Sequence, residues 1–201
     1  MLLDPEDSQL VLVDYQQGLI PALHEGAGAL ANACRLAQVA RALSVPVLVT
    51  EQNPGGLGPT VDPLRALVGS ALVKMEFSAA PVLLPRLRPA PSKPAGGNAR
   101  SLPRHLQKPA APAAPARGTV VIAGCEAHVC LLQTALELIE EEFDVCVVTD
   151  ACTSRTERNR DAAFDRLAGA GAELVTTEMV AFEWLRSADH PQFKEVLAWI
   201  K

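Results

Sequence analysis

Three side chains with complementary chemistry stand at or just beyond the ends of apolar segments in this sequence: Asp14, Lys74 and Cys130. A thiol attacks a carbonyl carbon only as its thiolate, and the pKa of a free cysteine is about 8.5, so the thiol needs activation at neutral pH. Asp14 can accept the thiol proton and later return it to a leaving amine. Lys74 can hold Asp14 in its ionised form. The three residues together predict covalent catalysis by a cysteine nucleophile.

The positions of these residues follow from an alternation of strands and helices. Apolar runs predict six strands, at 10–14, 46–50, 71–75, 119–124, 143–150 and 173–177. Helical spacing of apolar residues predicts helices at 27–43, near 61–67, and at 127–141, 157–170 and 188–201. Such alternation is typical of an α/β fold in which helices cover both sides of a parallel sheet.

The ends of the predicted strands bring the three residues to one edge of that sheet. Strand one ends in Asp14, strand three ends near Lys74, and strand four turns through residues 124–129 into Cys130. Ligands of such sheets bind beyond the carboxyl ends of the strands. A helix that begins at this turn favours the thiolate of Cys130, as does a nearby cation, and its free N–H groups can bind an oxyanion.

Each of these residues also has a plain structural interpretation. An acid after a strand often caps a turn, a lone lysine is usually solvated, and a cysteine in an apolar helix usually belongs to the core. Only their joint placement favours catalysis. His128 lies two residues before Cys130 and does not share its helix face, so we expect it at the rim of a pocket and not as the catalytic base.

Composition excludes several classes of function. The chain has 201 residues, of which 49% are hydrophobic and 20% charged, and its net charge of −5 argues against a nucleic-acid partner. No apolar run approaches the roughly 18 residues that span a membrane, and the first residues lack the basic start of a signal peptide. The five cysteines have irregular spacing without a C-x-x-C motif, which predicts free thiols and a cytoplasmic location.

One segment interrupts the pattern, at about 85–117. It holds eight of the 16 prolines, seven of the 18 Lys and Arg residues, and no acid. We interpret it as an insertion in a single domain that covers 1–201. It is either a loosely held surface loop or an arm that complementary charge holds on the acidic body of its own or a neighbouring subunit.

Several quoted stretches resemble the cysteine-hydrolase branch of the isochorismatase-like superfamily. LVLVDYQQGL carries the D-x-Q signature at Asp14 and Gln16, ALVKMEFSA places the family lysine at Lys74, and VIAGCEAHVCLLQTALEL places the family nucleophile at Cys130. LVTEQNPGGLGPTV resembles the loop after strand two in one subgroup, and DACTSRTERNRD and HPQFKEVLAWIK are similar to later segments of that subgroup. The resemblance covers nearly all of the chain outside 85–117.

The resemblance implies a Rossmann-like, three-layer α/β/α fold around a mostly parallel six-stranded sheet. It also implies an Asp14–Lys74–Cys130 triad, a cis peptide bond between Cys125 and Glu126, and an oxyanion hole formed by the N–H groups of Glu126 and Cys130. We expect the side chains that line the substrate pocket to be those of Gln16, Gln52, Phe77 and His128. Members usually form dimers or larger rings, so we expect a homo-oligomer.

Two departures from related branches narrow the expected activity. The nicotinamidases of the superfamily bind a metal through an Asp and histidines after strand two, but EQNPGGLGP has neither residue, so we expect no metal and no cofactor. True isochorismatases need no thiol, so Cys130 favours an amide, carbamoyl or related substrate among small molecules.

Other classes of function remain as alternatives. The main one is a catalytically silent binding or scaffold protein on the same fold. A nucleotide-dependent enzyme is disfavoured, because the glycines of NPGGLG match neither the dinucleotide-binding motif nor a P-loop. A serine hydrolase is disfavoured as well, because the sequence has no G-x-S-x-G motif.

Overall fold

A computed structural model describes residues 2–88 and 117–200. Its centre is a six-stranded sheet in the order β3-β2-β1-β4-β5-β6, in which every neighbouring pair is parallel. The strands are β1 (Ser8–Val13), β2 (Val47–Gln52), β3 (Leu72–Lys74), β4 (Thr119–Gly124), β5 (Asp144–Val148) and β6 (Glu173–Val175). The predicted α/β architecture is confirmed.

The helices form two groups that contact different neighbours. The α-helices are α1 (Gly26–Ala42), α2 (Pro54–Leu57), α3 (Asp62–Arg65), α4 (Ala80–Leu87), α5 (Leu132–Glu140), α6 (Glu157–Gly169), α7 (Thr177–Leu185) and α8 (Phe193–Ile200). Helices α1, α7 and α8 contact one another, and α5 contacts α4 and α6. The strand order reverses between β1 and β4, so crossovers in opposite directions place helices on both faces of the sheet. None of the helices in the described ranges is long and apolar enough to cross a membrane.

The two central strands are apolar runs because both of their faces are covered. All six residues of β1 are buried, and so are five of the six in β4. The two strands converge at their carboxyl ends, where a Cβ atom on Gly124 would lie 2.6 Å from Val13 Cβ and 2.7 Å from Val13 O. Glycine therefore permits the close approach that brings Asp14 next to the turn after β4.

Two helices differ from the sequence-based expectation. Helix α4 continues through Pro85 to Leu87, so the insertion predicted from about 85 cannot begin before residue 88. Proline is unfavourable inside a helix, but the burial of Leu83 and Leu87 outweighs its effect. Residues 89–116 of that insertion lie outside the described residues. Helix α7 was not predicted, although the Thr176 side chain caps it by accepting a hydrogen bond from Met179 N.

The C-terminal helix is shorter than predicted, because α8 begins only at Phe193. It packs on α1 and α7, and Val196 is its fully buried residue. Arg35 of α1 donates a hydrogen bond from Nε to Trp199 O, at 2.9 Å. The apolar face of α8 is therefore used within the chain.

Candidate active site

Asp14 is the first residue after β1, and its carboxylate is completely buried. Its φ of 57° lies in the left-handed region, which short polar side chains tolerate better than most others. Thr50 Oγ1, from β2, donates a hydrogen bond to Asp14 Oδ1 at 2.7 Å. Lys74 Nζ, at the end of β3, donates to Asp14 Oδ2 at 2.7 Å. The carboxylate is thus fixed on both oxygens by two neighbouring strands.

The Lys74 ammonium is buried together with Asp14 and has an acceptor for each of its three protons. Besides Asp14 Oδ2, Nζ donates to Glu76 O at 3.2 Å and to Phe77 O at 2.9 Å. A buried ammonium needs such partners, because an unpaired charge in the interior is strongly unfavourable. The arrangement keeps the cation in one place and close to Asp14.

The turn after β4 presents the cysteine. The peptide bond between Cys125 and Glu126 is cis, and the chain then forms a π-helical turn over Ala127–Leu131 before α5 begins. The π turn replaces the α-helical start that was expected at 127. Within it, Val129 N and Leu131 N donate to Glu126 O. Cys130 is 6% exposed and its carbonyl accepts from Thr134 Oγ1 at 2.6 Å.

The Cys130 thiol is nearly buried, and the charges of Asp14 and Lys74 act on its pKa in opposite directions. Burial raises the pKa of Cys130 to about 12; the negative charge of Asp14 and a hydrogen bond to its carboxylate also raise this pKa, while the Lys74 charge lowers it. The expected effect of the cation is present, because Lys74 lowers the pKa of Cys130, but burial and Asp14 raise that pKa by more. Attack by Cys130 requires transfer of its proton, and Asp14 is the acceptor within reach.

The predicted pocket residues have different environments. Gln16 is fully buried, and its carboxamide donates to Gln52 O and Gly58 O and accepts from Gln52 N, so it braces the loop after β2. Gln52 is half-buried and Phe77 is 53% exposed. His128 is partly buried, with Nδ1 3.0 Å from Ser154 Oγ and Nε2 3.4 Å from Asn159 Nδ2. The Gln16 carboxamide is therefore bonded within the chain, and all four side chains stay predicted pocket residues.

Sequence reasoning missed two side chains that hold the site. Thr50 fixes Asp14, as described above, and the parallel register that pairs Val13 with Thr50 brings them together. Arg155 fixes Glu126, because its main-chain N and Nε donate to Glu126 Oε2 at 2.9 and 3.0 Å, and its Nη2 donates to Oε1 at 2.6 Å. These bonds lower the pKa of Glu126. No sequence motif predicts the contact of Thr50 with Asp14 or that of Arg155 with Glu126.

Comparison with known proteins gives consistent matches along the chain. The model of the Isochorismatase domain matches residues 8–94 and 110–179. Isochorismatase domain-containing protein 2A of Mus musculus is 38% identical over 197 residues, which cover 98% of this chain and 84% of that protein.

Two solved structures are similar over the whole of this chain. The MAR1 ribonuclease from Caenorhabditis elegans has a TM-score of 0.83 and 31% identity, with 100% of this chain and 92% of that chain covered. The YcaC gene product from Escherichia coli, described as an octameric hydrolase of unknown specificity, has a TM-score of 0.75 and 28% identity, with 100% and 87% covered.

Proposed function

The chain belongs to the isochorismatase domain family, and on that premise we propose that it is a cysteine hydrolase that cleaves a C–N bond of a small amide or carbamoyl compound. The observation that carries the proposal is the buried ion pair of Asp14 and Lys74, at 2.7 Å, whose two charges both act on the pKa of the nearly buried Cys130 thiol. A base, a cation and a nucleophile at one sheet edge suffice for acyl transfer through a thioester.

The first step is attack on the carbonyl carbon. Cys130 Sγ bonds to that carbon while its proton passes to Asp14, and Lys74 stabilises the ionised carboxylate beforehand. Because the thiol pKa is raised to about 12, hardly any thiolate exists at neutral pH without this transfer. The N–H groups of Glu126 and Cys130 receive the negative oxygen of the tetrahedral intermediate.

The next steps release both products. The C–N bond breaks as Asp14 returns the proton to the leaving nitrogen, which leaves a thioester on Cys130. A water molecule then attacks the thioester carbon and gives its proton to Asp14. The C–S bond breaks, Cys130 regains a proton, and the carboxylic or carbamic acid departs.

The proposed reaction uses no metal and no other cofactor. Within residues 2–88 and 117–200, no group of three His, Cys, Asp or Glu side chains is arranged to hold a metal ion. The chemistry above needs only the triad and the oxyanion-binding N–H groups. Five free cysteines support the cytoplasmic location that forms part of the proposal.

We also propose a homo-oligomer. Three apolar side chains at the edge strand β3 and just after it are more than half exposed: Val73 at 56%, Met75 at 63% and Phe77 at 53%. Exposed apolar patches are typical of interaction surfaces, and a relative of similar structure is described as octameric. Docking of a second copy there would also cover the main chain that binds Lys74.

The test is turnover together with capture of the thioester. The purified protein is incubated with small primary amides, ureido acids and carbamoyl compounds, ammonia release is measured, and acyl-Cys130 is sought by mass spectrometry after acid quench. Cys130→Ala must abolish release, whereas the matched control Cys34→Ser, in α1, must keep it. Ammonia release by Cys130→Ala would refute the mechanism.

A catalytically silent binding protein is the alternative, and the low exposure and raised pKa of Cys130 favour it. It predicts no release and no acyl-Cys130 with any member of the panel. Because one relative is described as a ribonuclease, single-stranded RNA is included as a further substrate. RNA cleavage that survives Cys130→Ala would assign the active centre elsewhere.

A further inference from the structure

We propose that Arg155 is a positioning residue: through Glu126, it holds the turn after β4 so that the N–H groups of that turn meet the developing oxyanion. The inference rests on the proposed function, since it concerns the acyl-transfer step at Cys130. It assigns a role to the SRTER stretch after β5, which the triad itself does not use.

The contact between Arg155 and Glu126 has the geometry of a fixed clamp. Two donors reach Oε2, at 2.9 and 3.0 Å, and a third reaches Oε1 at 2.6 Å. Glu126 is 5% exposed, whereas the Arg155 side chain is 65% exposed. A carboxylate bound on both oxygens by a planar guanidinium can neither rotate nor shift without breaking charge-assisted hydrogen bonds.

The two residues before Arg155 hold the same turn from its other side. Thr153 O accepts from Ala127 N at 2.8 Å, and Thr153 also forms a parallel bridge with Cys125. Ser154 Oγ lies 3.0 Å from His128 Nδ1. Segment 153–155 therefore contacts each of the four residues from Cys125 to His128, and Arg155 is its only charged side chain.

The segment is itself anchored to the chain before α1. Thr153 Oγ1 donates a hydrogen bond to His24 O, and His24 N donates to Ser154 O at 2.9 Å. Segment 153–155 is thus fixed by contacts that do not involve the turn after β4. This makes Arg155 suited to orient Glu126 and not merely to follow it.

Orientation of Glu126 matters because its own N–H belongs to the proposed oxyanion hole. A displacement of about 1 Å in a catalytic group can lower the rate on the order of 100-fold. The Arg155 guanidinium is largely exposed, and its removal still leaves the main-chain N–H of residue 155 on Glu126 Oε2. We therefore expect a loss of transition-state stabilisation in a protein that still folds, together with some loss of stability, because the nearly buried Glu126 carboxylate loses its cation.

The test compares two reactions of the same thiol. With p-nitrophenyl acetate, Cys130 Sγ bonds to the acetyl carbon, its proton passes to Asp14, and p-nitrophenolate leaves through an oxyanion intermediate. With iodoacetamide, Sγ bonds to the methylene carbon, its proton again passes to Asp14 and iodide leaves, so no oxyanion forms. The rates of acylation and alkylation at Cys130 are measured by peptide mass spectrometry. Cys130→Ala shows how much reagent reacts with the other residues of the protein.

Arg155→Ala should slow acylation of Cys130 roughly 10- to 100-fold, below the effect of deleting an oxyanion donor outright. Alkylation should change less than about twofold, since it does not use the oxyanion hole. Arg155→Lys should recover part of the acylation rate, and the exposed Arg158→Ala in α6 should leave both rates unchanged. Glu126→Gln combined with Arg155→Ala should be no slower than the slower single variant.

Four results would overturn the inference. Equal loss in both reactions would show a structural role for Arg155, and unchanged acylation in Arg155→Ala would show no role. Additive losses in the double variant would show that Arg155 does not act through Glu126. A wild-type protein that is alkylated but never acylated at Cys130 would refute the proposed function, and the positioning role with it.

Discussion

Lys74 Nζ lies 2.7 Å from Asp14 Oδ2, and both side chains are fully buried although 60 residues separate them in the chain. Asp14 directly follows β1 and Lys74 is the last residue of β3. These strands are not neighbours, because β2 lies between them. Thr50 of that intervening strand completes the contact from the other side of the carboxylate. Three neighbouring strands therefore contribute to one buried ionic site. Removal of any one of the three side chains should destabilise the fold, because it leaves a buried polar group without its partner.

Lys74→Met should destabilise the protein strongly, because it leaves the Asp14 carboxylate buried without its cation. We expect a loss of about 3–5 kcal/mol in the free energy of unfolding at pH 7, measured by urea denaturation. The double variant Asp14→Asn, Lys74→Met removes both charges and should recover part of the loss. A single variant that loses less than about 1 kcal/mol would contradict the unpaired-charge explanation.

Asp14→Asn should move the reactivity of Cys130 to lower pH although it abolishes turnover. Asp14 raises the pKa of the Cys130 thiol and Lys74 lowers it, so loss of the carboxylate removes the larger raising charge and keeps Lys74, although Glu126 still raises this pKa. The shift in the pH profile of iodoacetamide alkylation should be about 1–3 units, as for other nearby charges.

Cys146 is the internal control for that shift. Burial raises its pKa to about 12 as well, but the charges that act on it are those of Glu173, Glu183 and Asp144, which raise the pKa, and of the N-terminus, which lowers it. Its alkylation profile should be the same in wild type and in Asp14→Asn. A profile of Cys130 that stays in place would mean that Asp14 does not control the thiol.

The sequence was sufficient for the parts of the site that depend on strand ends. Asp14, Lys74 and Cys130 each follow an apolar run, and parallel strands bring such residues to one edge. Thr50 and Arg155 were missed because their roles depend on register between strands and on a contact between segments 29 residues apart. Lys74 lowers the pKa of the Cys130 thiol, as expected, but burial and the neighbouring carboxylate raise it, and the size of those two effects cannot be read from a motif.

Thr50→Val should weaken both folding and catalysis, because it removes the donor to Asp14 Oδ1 and keeps the shape of the side chain. A buried acceptor left without its partner costs about 1–3 kcal/mol, measured as the change in free energy of unfolding. Thr50→Ser keeps the hydroxyl and should restore most of the kcat that Thr50→Val loses. Equal kcat values for the Val and Ser variants would show that the hydroxyl does not orient Asp14.

Stability should fall as the pH rises above about 8.5, the pKa of a thiol in the unfolded chain. Burial raises the pKa of Cys130, Cys146 and Cys152 to about 12. A raised folded-state pKa contributes stability that is fully present below the unfolded pKa and is lost as the pH rises through the folded pKa. Between those values each thiol contributes a slope of about −1.4 kcal/mol per pH unit.

Cys146→Ala is the variant that isolates one of these slopes. It should lose stability at pH 7, because it opens space in β5, but its free energy of unfolding should fall less steeply between pH 9 and 11. Urea titrations at several pH values measure both effects. An unchanged slope would mean that Cys146 does not retain its proton in the folded state.

The proposed homo-oligomer should dissociate when charge is placed at the edge strand β3. Val73 and Met75 are 56% and 63% exposed and flank Lys74, so a second copy that docks there would bury apolar surface next to the triad. Val73→Glu with Met75→Glu should give a smaller particle by light scattering, because burying two carboxylates without partners is unfavourable. Met179→Glu, on the distant α7 and 44% exposed in the wild type, is the matched control and should keep the size. Dissociation by Met179→Glu alone would place the main contact between copies on α7. The interface would then not cover the main chain that binds Lys74.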